Sequence, residues 1–440
     1  MLNKLKRAAL GAHTPHDKAT AASKPVPMPL PAQVRILMSQ HIGAPAKALV
    51  KKGDEVFVGT KIGEAGGFVS ANIHSSVSGT VAAVEPFRLS NGRTCDSVVI
   101  KTDGKQTVDP AVKAPEVTDK ASFLAAVRES GLVGLGGAGF PTDVKLQPKQ
   151  QVDTLLINAS ECEVWLTSDT QEMLECSDDI IRGIKAVLQY TGIPKCVIGI
   201  ENNKPDAIQL MTKVASSYAG IEVVPLKVQY PQGGEKQLID AVISRQVAAG
   251  ALPISTGAVV QNVGTAFAVY QAVQKNKPLF ERVITVTGKS LAKPSNFLAR
   301  IGTPMKQLIE ACGGLPEDTG KVIGGGPMMG KALVNIEVPT AKGSSGILIM
   351  NEKEAKRGEV QPCIRCAKCV GACPMGLEPY LLATVSAHGD FERVEKEDIM
   401  SCIECGSCQF TCPSNRPMLD YIRLGKGKVG AMIRARQAKK

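Results

Sequence analysis

Two cysteine runs of identical spacing restrict the fold and chemistry of this chain more than any other feature. Each follows the pattern C-x-x-C-x-x-C-x-x-x-C-P; the first comprises Cys363, Cys366, Cys369 and Cys373 before Pro374, and the second Cys402, Cys405, Cys408 and Cys412 before Pro413. Zinc sites built from C-x-x-C pairs, or disulfides, do not explain a third and a fourth cysteine at these offsets. The spacing predicts two [4Fe-4S] clusters and therefore an electron-transfer function.

The fourth cysteine of each run is predicted to ligate the cluster of the other run, as it does in two-cluster ferredoxins. Cluster 1 is assigned to Cys363, Cys366, Cys369 and Cys412, and cluster 2 to Cys402, Cys405, Cys408 and Cys373. The other cysteines, Cys95, Cys162, Cys176, Cys196 and Cys312, have no metal-binding spacing and are interpreted as buried small residues.

Composition narrows the class of protein further. A chain of 440 residues exceeds what one hydrophobic core organises, so several domains are expected. The aromatic content of 4% argues against nucleic-acid binding by base stacking. The formal charge of +11 resides in residues 1–25 and 421–440. These basic ends are interpreted as contacts for an acidic protein surface, anionic lipid or nucleic acid, or as solvated tails.

A membrane-spanning helix is not expected, because no stretch reaches the ~18 consecutive apolar residues that such a helix needs. The nearest candidate is the uncharged segment 246–274, which is interrupted by Pro253, Gln261 and Asn262. We predict a buried loop and helix there. Because thiolates serve as metal ligands, a reducing, cytoplasmic location is expected.

Changes of pattern divide the chain into an N-terminal arm (1–32), a small all-β unit (33–115), an α/β unit (116–280), a small β-rich unit (281–350), a helical cysteine-bearing region (351–424) and a basic tail (425–440). In the α/β unit, strand patterns at 154–158, 196–200 and 221–226 alternate with helical patterns at 173–190, 206–217 and 235–245. This alternation predicts a parallel sheet with covering helices, and the whole chain is predicted to be a multidomain α/β protein.

A glycine-rich segment is the best candidate for a cofactor site. Residues 134–145 read Gly-Leu-Gly-Gly-Ala-Gly-Phe-Pro-Thr-Asp-Val-Lys. Glycines let backbone N–H groups approach an anion closely, and Lys145 can add a charge. The segment does not match the Rossmann or P-loop patterns, so a structural turn remains the alternative on this pattern alone.

Four segments in the same order resemble the FMN- and NADH-binding subunit of respiratory complex I. They are Gly-Gly-Ala-Gly-Phe-Pro-Thr within 134–145, Asn-Ala-Ser-Glu-Cys-Glu at 158–163, Tyr-Pro-Gln-Gly-Gly-Glu-Lys at 230–236 and Gln-Asn-Val-Gly-Thr at 261–265. Leu135 stands where complex I has arginine, and two ferredoxin runs replace a single cluster site. In these departures the chain is similar, over essentially its whole length, to the C subunit family of the Rnf complex, the ferredoxin:NAD+ oxidoreductase of bacteria.

The resemblance implies a fold for each part. The N-terminal unit is expected to be a barrel-sandwich hybrid of the lipoyl type, but its hairpin near Gly66, Gly67 and Phe68 has no lysine for a swinging arm. Residues 281–350 are expected to form a β-grasp domain of the soluble-ligand-binding type, which acts as a structural bridge. Residues 351–424 are expected to form a ferredoxin-type domain with two [4Fe-4S] clusters.

The resemblance also implies a function. The chain is expected to be a peripheral subunit, on the cytoplasmic face of the bacterial inner membrane, of an ion-translocating complex. It would exchange a hydride with NAD(H) at a non-covalent FMN and pass single electrons through both clusters to partner subunits, and through them to ferredoxin. Alternatives are a soluble flavin and Fe–S reductase like the cobalamin reductases, or a non-catalytic Fe–S adaptor.

Residue roles follow from the same resemblance. The FMN phosphate is expected near the glycine loop and Lys145, hydrogen bonds are expected from Asn158, Asn262 and Thr265, and the nicotinamide side is expected to be lined by acids. No residue is needed as a general acid or base. The predicted FMN and NADH contacts are Gly134, Gly136, Gly137, Gly139, Lys145, Asn158, Glu161, Glu163, Tyr230, Gly234, Glu235, Asn262 and Thr265.

Overall fold

The computed structural model describes residues 10–90 and 92–438. The first nine residues of the predicted arm and the last two of the predicted tail lie outside the described residues. The strands are β1 Val26–Pro27, β2 Gln33–Leu37, β3 Lys47–Ala48, β4 Glu55–Val56, β5 Lys61–Glu64, β6 Ile73–His74, β7 Gly79–Arg88, β8 Thr94–Thr102, β9 Thr154–Asn158, β10 Cys196–Glu201, β11 Ile221–Leu226, β12 Ala258–Asn262, β13 Glu281–Thr287, β14 Ser295–Arg300, β15 Thr319–Gly324, β16 Lys331–Ala332 and β17 Gly346–Asn351.

The helices are α1 Lys120–Glu129, α2 Thr142–Lys145, α3 Ser168–Thr191, α4 Pro205–Ala215, α5 Glu235–Ile243, α6 Val263–Lys275, α7 Met305–Ala311, α8 Glu352–Ala355, α9 Lys368–Gly371, α10 Pro379–Ala387, α11 Phe391–Lys396, α12 Ser407–Phe410 and α13 Met418–Ala438. Short 3-10 turns occupy Pro253–Thr256 and Ile399–Ser401.

The N-terminal β unit consists of two antiparallel sheets around one apolar core. One sheet has the strand order β2-β8-β7-β4 and the other β3-β5-β6. Alternate residues of the strands point inward, so that Val34, Ile36, Val98 and Ile100 are fully buried. The prediction of a small all-β unit from frequent turns and alternation is confirmed.

The α/β unit contains a four-stranded sheet in the order β11-β10-β9-β12, and every pair of strands is parallel. Helices α3 and α6 pack so closely that a Cβ on Gly183 would lie 1.9 Å from the carbonyl oxygen of Ala266. The predicted parallel sheet is confirmed. Segment 246–274 differs from the prediction, because strand β12 precedes helix α6 there. All residues of β12 are buried, so the strand lacks the usual alternation of apolar and polar side chains.

The β-grasp region is a mixed six-stranded sheet in the order β1-β14-β13-β17-β15-β16. Its outer strand β1 comes from the N-terminal arm, which therefore forms part of this domain. The arm also crosses the α/β unit, where Lys18 Nζ donates to the carbonyl oxygens of Glu161, Glu163 and Leu166 at 3.0, 2.8 and 2.5 Å. Asn296 Nδ2 donates to the carbonyl of Thr20 at 3.1 Å.

The C-terminal region is helical, as predicted, and each cysteine run contains one short helix, α9 or α12. The predicted boundary between this region and a basic tail at residues 424 and 425 falls inside helix α13. Met418, Ile422, Gly425 and Val429 recur at helical spacing and are buried, and Gly425 packs against Ser386 of α10. The apolar stripe, rather than the net charge, thus decides the structure of residues 425–438.

Candidate functional site

The candidate site lies at the carboxyl edge of the parallel sheet, where the strand order reverses between β9 and β12. Asn158 ends β9, Asn262 ends β12, and the two residues are register partners. Ligands of open parallel sheets bind in the crevice outside the carboxyl ends of the strands at such a reversal. The structure therefore brings two of the predicted motifs together at the position where a cofactor is expected.

The glycine loop lies beside this crevice with its backbone exposed. Gly136, Gly137 and Ala138 are exposed, and no heavy atom of the described residues lies within 4 Å of a Cβ built on Gly137, its own chain neighbours aside. The base of the loop is fixed, because Leu135 N donates to Thr265 Oγ1 at 3.0 Å. An exposed backbone on a fixed base suits the binding of an anion.

Asn262 organises the first turn of helix α6 rather than pointing freely into the crevice. Its Oδ1 accepts from Gly264 N at 2.9 Å and from Thr265 N at 3.3 Å, while its Nδ2 donates to Asp169 Oδ2 at 2.7 Å. A Cβ on Gly136 would lie 2.7 Å from Asn262 Nδ2. Glycine at 136 is thus required by close packing against this helix start.

The predicted lysine and glutamate of the site form an ion pair. Lys145 Nζ lies 2.6 Å from Glu235 Oε1, which joins helix α2 to the first turn of α5. Gly234 is the N-cap of α5, and Asn158 Nδ2 donates to the neighbouring Gly233 carbonyl at 2.8 Å. The second and third motifs are therefore held together by direct contacts.

The carboxylates of Glu161 and Glu163 are bound by backbone N–H groups. Glu161 accepts from Asp169 N at 2.8 Å and caps helix α3. Glu163 accepts from Met329 N at 2.6 Å and Met328 N at 3.2 Å in the β-grasp region. Burial raises the pKa of Glu163, and these two amides oppose the rise. Neither carboxylate is presented free to the crevice, and their contact with a nicotinamide stays a prediction.

Tyr230 is buried against the second cysteine run. Its side chain is 1% exposed, and its hydroxyl donates to the Cys405 carbonyl at 2.8 Å. Met328 packs in the same small apolar cluster with Cys405. The residue predicted to line the flavin pocket thus joins the α/β unit directly to the second cysteine run.

Electrostatic interactions connect six of the eight cysteines of the two runs, within one run and across the two. Burial first, and then the neighbouring thiols of Cys405, Cys402 and Cys373, raise the pKa of Cys408 to about 12. Burial also raises the pKa of Cys369, with Cys412 contributing. The fourth cysteine of each run thus interacts electrostatically with the other run, which is the arrangement the crossed assignment requires.

The two predicted ligand sets differ in exposure. Cys373, Cys405 and Cys408 are buried, whereas Cys363 and Cys366 are exposed. Within the described ranges, no group of three or more His, Cys, Asp or Glu side chains could hold a metal ion as placed. Three features fit [4Fe-4S] clusters: the ligands are thiols, their spacing is that of two-cluster ferredoxins, and the fourth cysteine of each run interacts with the other run.

Unpartnered polar atoms on the loops and elements around the crevice fit a polar cofactor. In the described part of the chain, four buried side-chain atoms have no hydrogen-bond partner and belong to elements that build the site: Thr142 Oγ1, Ser160 Oγ, Gln237 Oε1 and Gln261 Nε2. Buried polar atoms are usually satisfied, so such a set is expected where a ligand supplies the partners. Sequence reasoning missed these residues, although Thr142, Ser160 and Gln261 lie within recognised motifs.

Four family models match consecutive parts of the chain. They are described as the RnfC barrel sandwich hybrid domain at residues 6–105, the Nuo51 FMN-binding domain at 127–271, the SLBB domain at 283–332 and the 4Fe-4S dicluster domain at 355–413. A curated protein of Acetobacterium woodii, the C subunit of the Na(+)-translocating ferredoxin:NAD(+) oxidoreductase complex, is 43% identical over 96% of this chain and 97% of its own length.

The chain belongs to the RnfC family. Another member, the C subunit of the proton-translocating ferredoxin:NAD(+) oxidoreductase complex of Clostridium ljungdahlii, is 41% identical over 88% of this chain and 86% of its own length. A chain of an NAD+-reducing [NiFe]-hydrogenase aligns with a TM-score of 0.50 at 17% identity, covering 71% of this RnfC-family chain and 63% of its own; that likeness concerns the fold alone.

The matches confirm the family and the fold of each part as predicted, and also the cofactors, FMN and [4Fe-4S] clusters. No helix within residues 10–90 and 92–438 of this RnfC-family chain is long and apolar enough to cross a membrane.

Proposed function

We propose that this chain is the subunit at which an ion-translocating ferredoxin:NAD+ oxidoreductase complex exchanges electrons with NAD(H). The family relationship extends over nearly the full length of relatives that carry this name. The observation that carries the proposal is a direct contact between the flavin domain and the cysteine-bearing domain of the same chain. Tyr230, in a motif of the flavin domain, donates its hydroxyl proton to the carbonyl of the cluster ligand Cys405.

FMN supplies the conversion between two-electron hydride transfer and single-electron transfer, and the protein supplies binding and position. The exposed backbone of the glycine loop and the start of helix α6 favour the phosphate. The Lys145–Glu235 pair, at 2.6 Å, fixes helix α2 to the first turn of helix α5. Asn158 holds the Gly233 backbone in place. The chain's own residues thus orient the cofactor without supplying a general acid or base.

The difference in cysteine exposure supports an order for the clusters. The proposed ligands of cluster 2 adjoin the flavin domain, because Tyr230 bonds to Cys405 of the second run and Gln237 Nε2 donates at 3.3 Å to the carbonyl of Pro374, which follows Cys373. The Cys363 run has two exposed ligands. The proposed order is therefore flavin, cluster 2 and then cluster 1, and cluster 1 is the exit to partner subunits.

The location proposed for this subunit is the cytoplasmic face of the cell membrane, where NAD(H) is present. Attachment through partner subunits is consistent with the finding that no helix among the described residues is able to span a membrane. The relatives are named for Na+ and for proton translocation, so the coupling ion is assigned to the membrane partners rather than to this chain.

The test is co-purification combined with cofactor analysis under anaerobic conditions. The chain is expressed with its membrane partner subunits, and iron, sulfide, flavin and NADH-dependent bleaching are measured in the isolated complex. We expect stoichiometric FMN, two clusters in this chain and retention by the membrane subunits. A chain that is bleached by NADH but is recovered without any membrane subunit, although it was expressed with them, would indicate a soluble reductase. Clusters without flavin or bleaching would indicate an adaptor, and either result contradicts the proposal.

A further inference from the structure

Two segments of the barrel domain reach the glycine loop, and together they are called the barrel rim. The rim consists of residues 40–45 and 65–71. The two segments are bound to each other, because Ala71 N donates to His41 Nε2 at 3.1 Å and Ala44 N donates to the Val69 carbonyl at 3.0 Å. The rim is therefore one structural unit rather than two independent loops.

The rim is fixed to the C-terminal half of the glycine-rich segment. Ile42 N donates to the Gly139 carbonyl at 3.2 Å. A Cβ on Gly139, which has φ +71°, would lie 3.2 Å from the Cα of His41. Arg128 joins the rim to helix α2: its Nη2 donates to the Gly67 carbonyl at 3.3 Å, and its Nη1 lies 2.9 Å from Asp143 Oδ2.

The rim carries exposed apolar side chains at this position. Phe68 is 70% exposed and Ile42 is 47% exposed. The rim contains no Asp, Glu, Lys or Arg, and the only such residue directly beside it in the sequence is Glu64. Burial lowers the pKa of His41, so its imidazole is uncharged at neutral pH. An uncharged apolar surface beside the loop proposed for the flavin phosphate suits the flat base of a dinucleotide that reaches the flavin.

We propose that Phe68, with Ile42 beside it, forms the wall on which the adenine base of NAD(H) stacks. The inference rests on the proposed function, since NAD(H) is the occupant. It gives the barrel domain a role in substrate binding: the hairpin, which has no lysine for a swinging arm, presents an aromatic side chain to the substrate instead. Phe68 is then a specificity-determining residue for the adenosine half of the dinucleotide.

The test separates the adenosine half of the substrate from the nicotinamide half. Purified holoprotein, as wild type, Phe68→Ala, Phe68→Trp and the control Val334→Ala, is titrated calorimetrically with ADP-ribose. Steady-state kinetics follow with NADH and with reduced nicotinamide mononucleotide, which lacks adenosine. Val334 is 84% exposed in the β-grasp region and serves as a matched exposed apolar position.

We expect Phe68→Ala to weaken ADP-ribose binding and to raise the KM for NADH about tenfold, as loss of one base–aromatic stack does. Its kinetics with reduced nicotinamide mononucleotide, its FMN and iron contents and its melting temperature should match the wild type, because the side chain is exposed. Phe68→Trp should bind as the wild type does. Val334→Ala should change nothing.

Unchanged ADP-ribose binding in Phe68→Ala overturns the inference and leaves the proposed function standing, and the rim then belongs to another occupant. Equal losses with NADH and reduced nicotinamide mononucleotide also overturn it, because they indicate a general defect. Wild-type protein that binds no ADP-ribose and accepts no electrons from NADH contradicts the proposed function itself, and this inference with it.

Discussion

Gly137 is the residue at which the site is most easily blocked without disturbing the fold. A Cβ there meets no heavy atom of the described residues within 4 Å beyond the adjacent chain, so the space beside it is open to a ligand. Gly137→Arg should fill that space and abolish FMN retention while the cluster absorbance stays intact. Flavin and iron analysis of the purified variant checks this result.

Gly427→Arg is the matched control. Gly427 is also free of neighbours within 4 Å among the described residues, but it lies in helix α13, far along the chain from the loop. This control should retain both FMN and clusters. FMN retained at wild-type stoichiometry in Gly137→Arg would contradict the placement of the cofactor at the glycine loop.

Glu172 makes stability depend on pH. Burial, and then the nearby Asp169 carboxylate, raise its pKa from 4.5 to about 8, with Glu161 adding to the rise and Arg282 opposing it. The folded protein holds this proton to a higher pH than the unfolded chain, so stability is lost as pH rises from about 4.5 towards 8.

Glu172→Gln should remove this dependence, because glutamine keeps the shape of the protonated acid. At pH 5 the variant and the wild type should have equal thermal midpoints. At pH 8.5 the variant should be more stable, by about 5 kcal/mol in unfolding free energy. Thermal unfolding across this pH range checks the slope, and a parallel decline in both proteins would contradict the assignment.

At this scale the sequence predicts which residues gather but not where their side chains point. The four motifs identify Gly136, Asn158 and Asn262 because the residue types and spacings of a motif can be recognised directly in the sequence. The contacts of Glu163 with the β-grasp region join residues 165 and 166 positions apart, and no local pattern records them. The buried position of Glu172 arises likewise only when helix α3 packs against α6.

Among the elements, the N-terminal arm has the least regular structure and makes contacts that stabilise two domains. It supplies strand β1 to the β-grasp sheet and Lys18 to the loop before helix α3. That loop contains two non-glycine residues with left-handed backbone, Glu161 at φ 46° and Trp165 at φ 75°. Such backbone persists only where the surroundings hold it in place.

Lys18→Ala should destabilise the protein by about 3 kcal/mol, because three carbonyl oxygens lose a charged donor. Lys24→Ala is the control: its ion pair with Glu175 is exposed, and such pairs contribute about 1 kcal/mol or less. Thermal unfolding and limited proteolysis of the arm compare the two variants. Equal stability of Lys18→Ala and Lys24→Ala would show that the arm does not fix this loop.

Elements with a clear period are predictable from sequence, and elements that depend on tertiary packing are not. Strands β9, β10 and β11 and the helices between them follow from alternating apolar patterns. Strand β12 was missed because it is buried on both faces, and the length of helix α13 was missed because its charges dominate the apolar stripe. Burial in these cases is set by neighbours that the local sequence does not reveal.

In the whole molecule, the proposed crossed ligation would make each cluster depend on both runs. If Cys412 ligates cluster 1, then Cys412→Ala and Cys363→Ala should lose the same cluster and leave the same residual electron paramagnetic resonance spectrum. Iron should fall by about half in both variants, as one of two clusters is lost. Cys312→Ala, at a buried cysteine outside the runs, should keep the full iron content. A residual spectrum of Cys412→Ala that matches Cys402→Ala instead would contradict the crossing.

The central claim is that one chain carries electrons from NADH through FMN to two clusters. The most direct measurement is anaerobic addition of NADH to purified wild-type and Cys363→Ala protein, followed by rapid optical and paramagnetic detection of flavin and clusters. We predict that wild-type flavin is bleached and both clusters are then reduced, whereas Cys363→Ala shows flavin bleaching and reduction of cluster 2 alone. Wild-type protein with full FMN and iron that shows no change on addition of NADH would contradict the account.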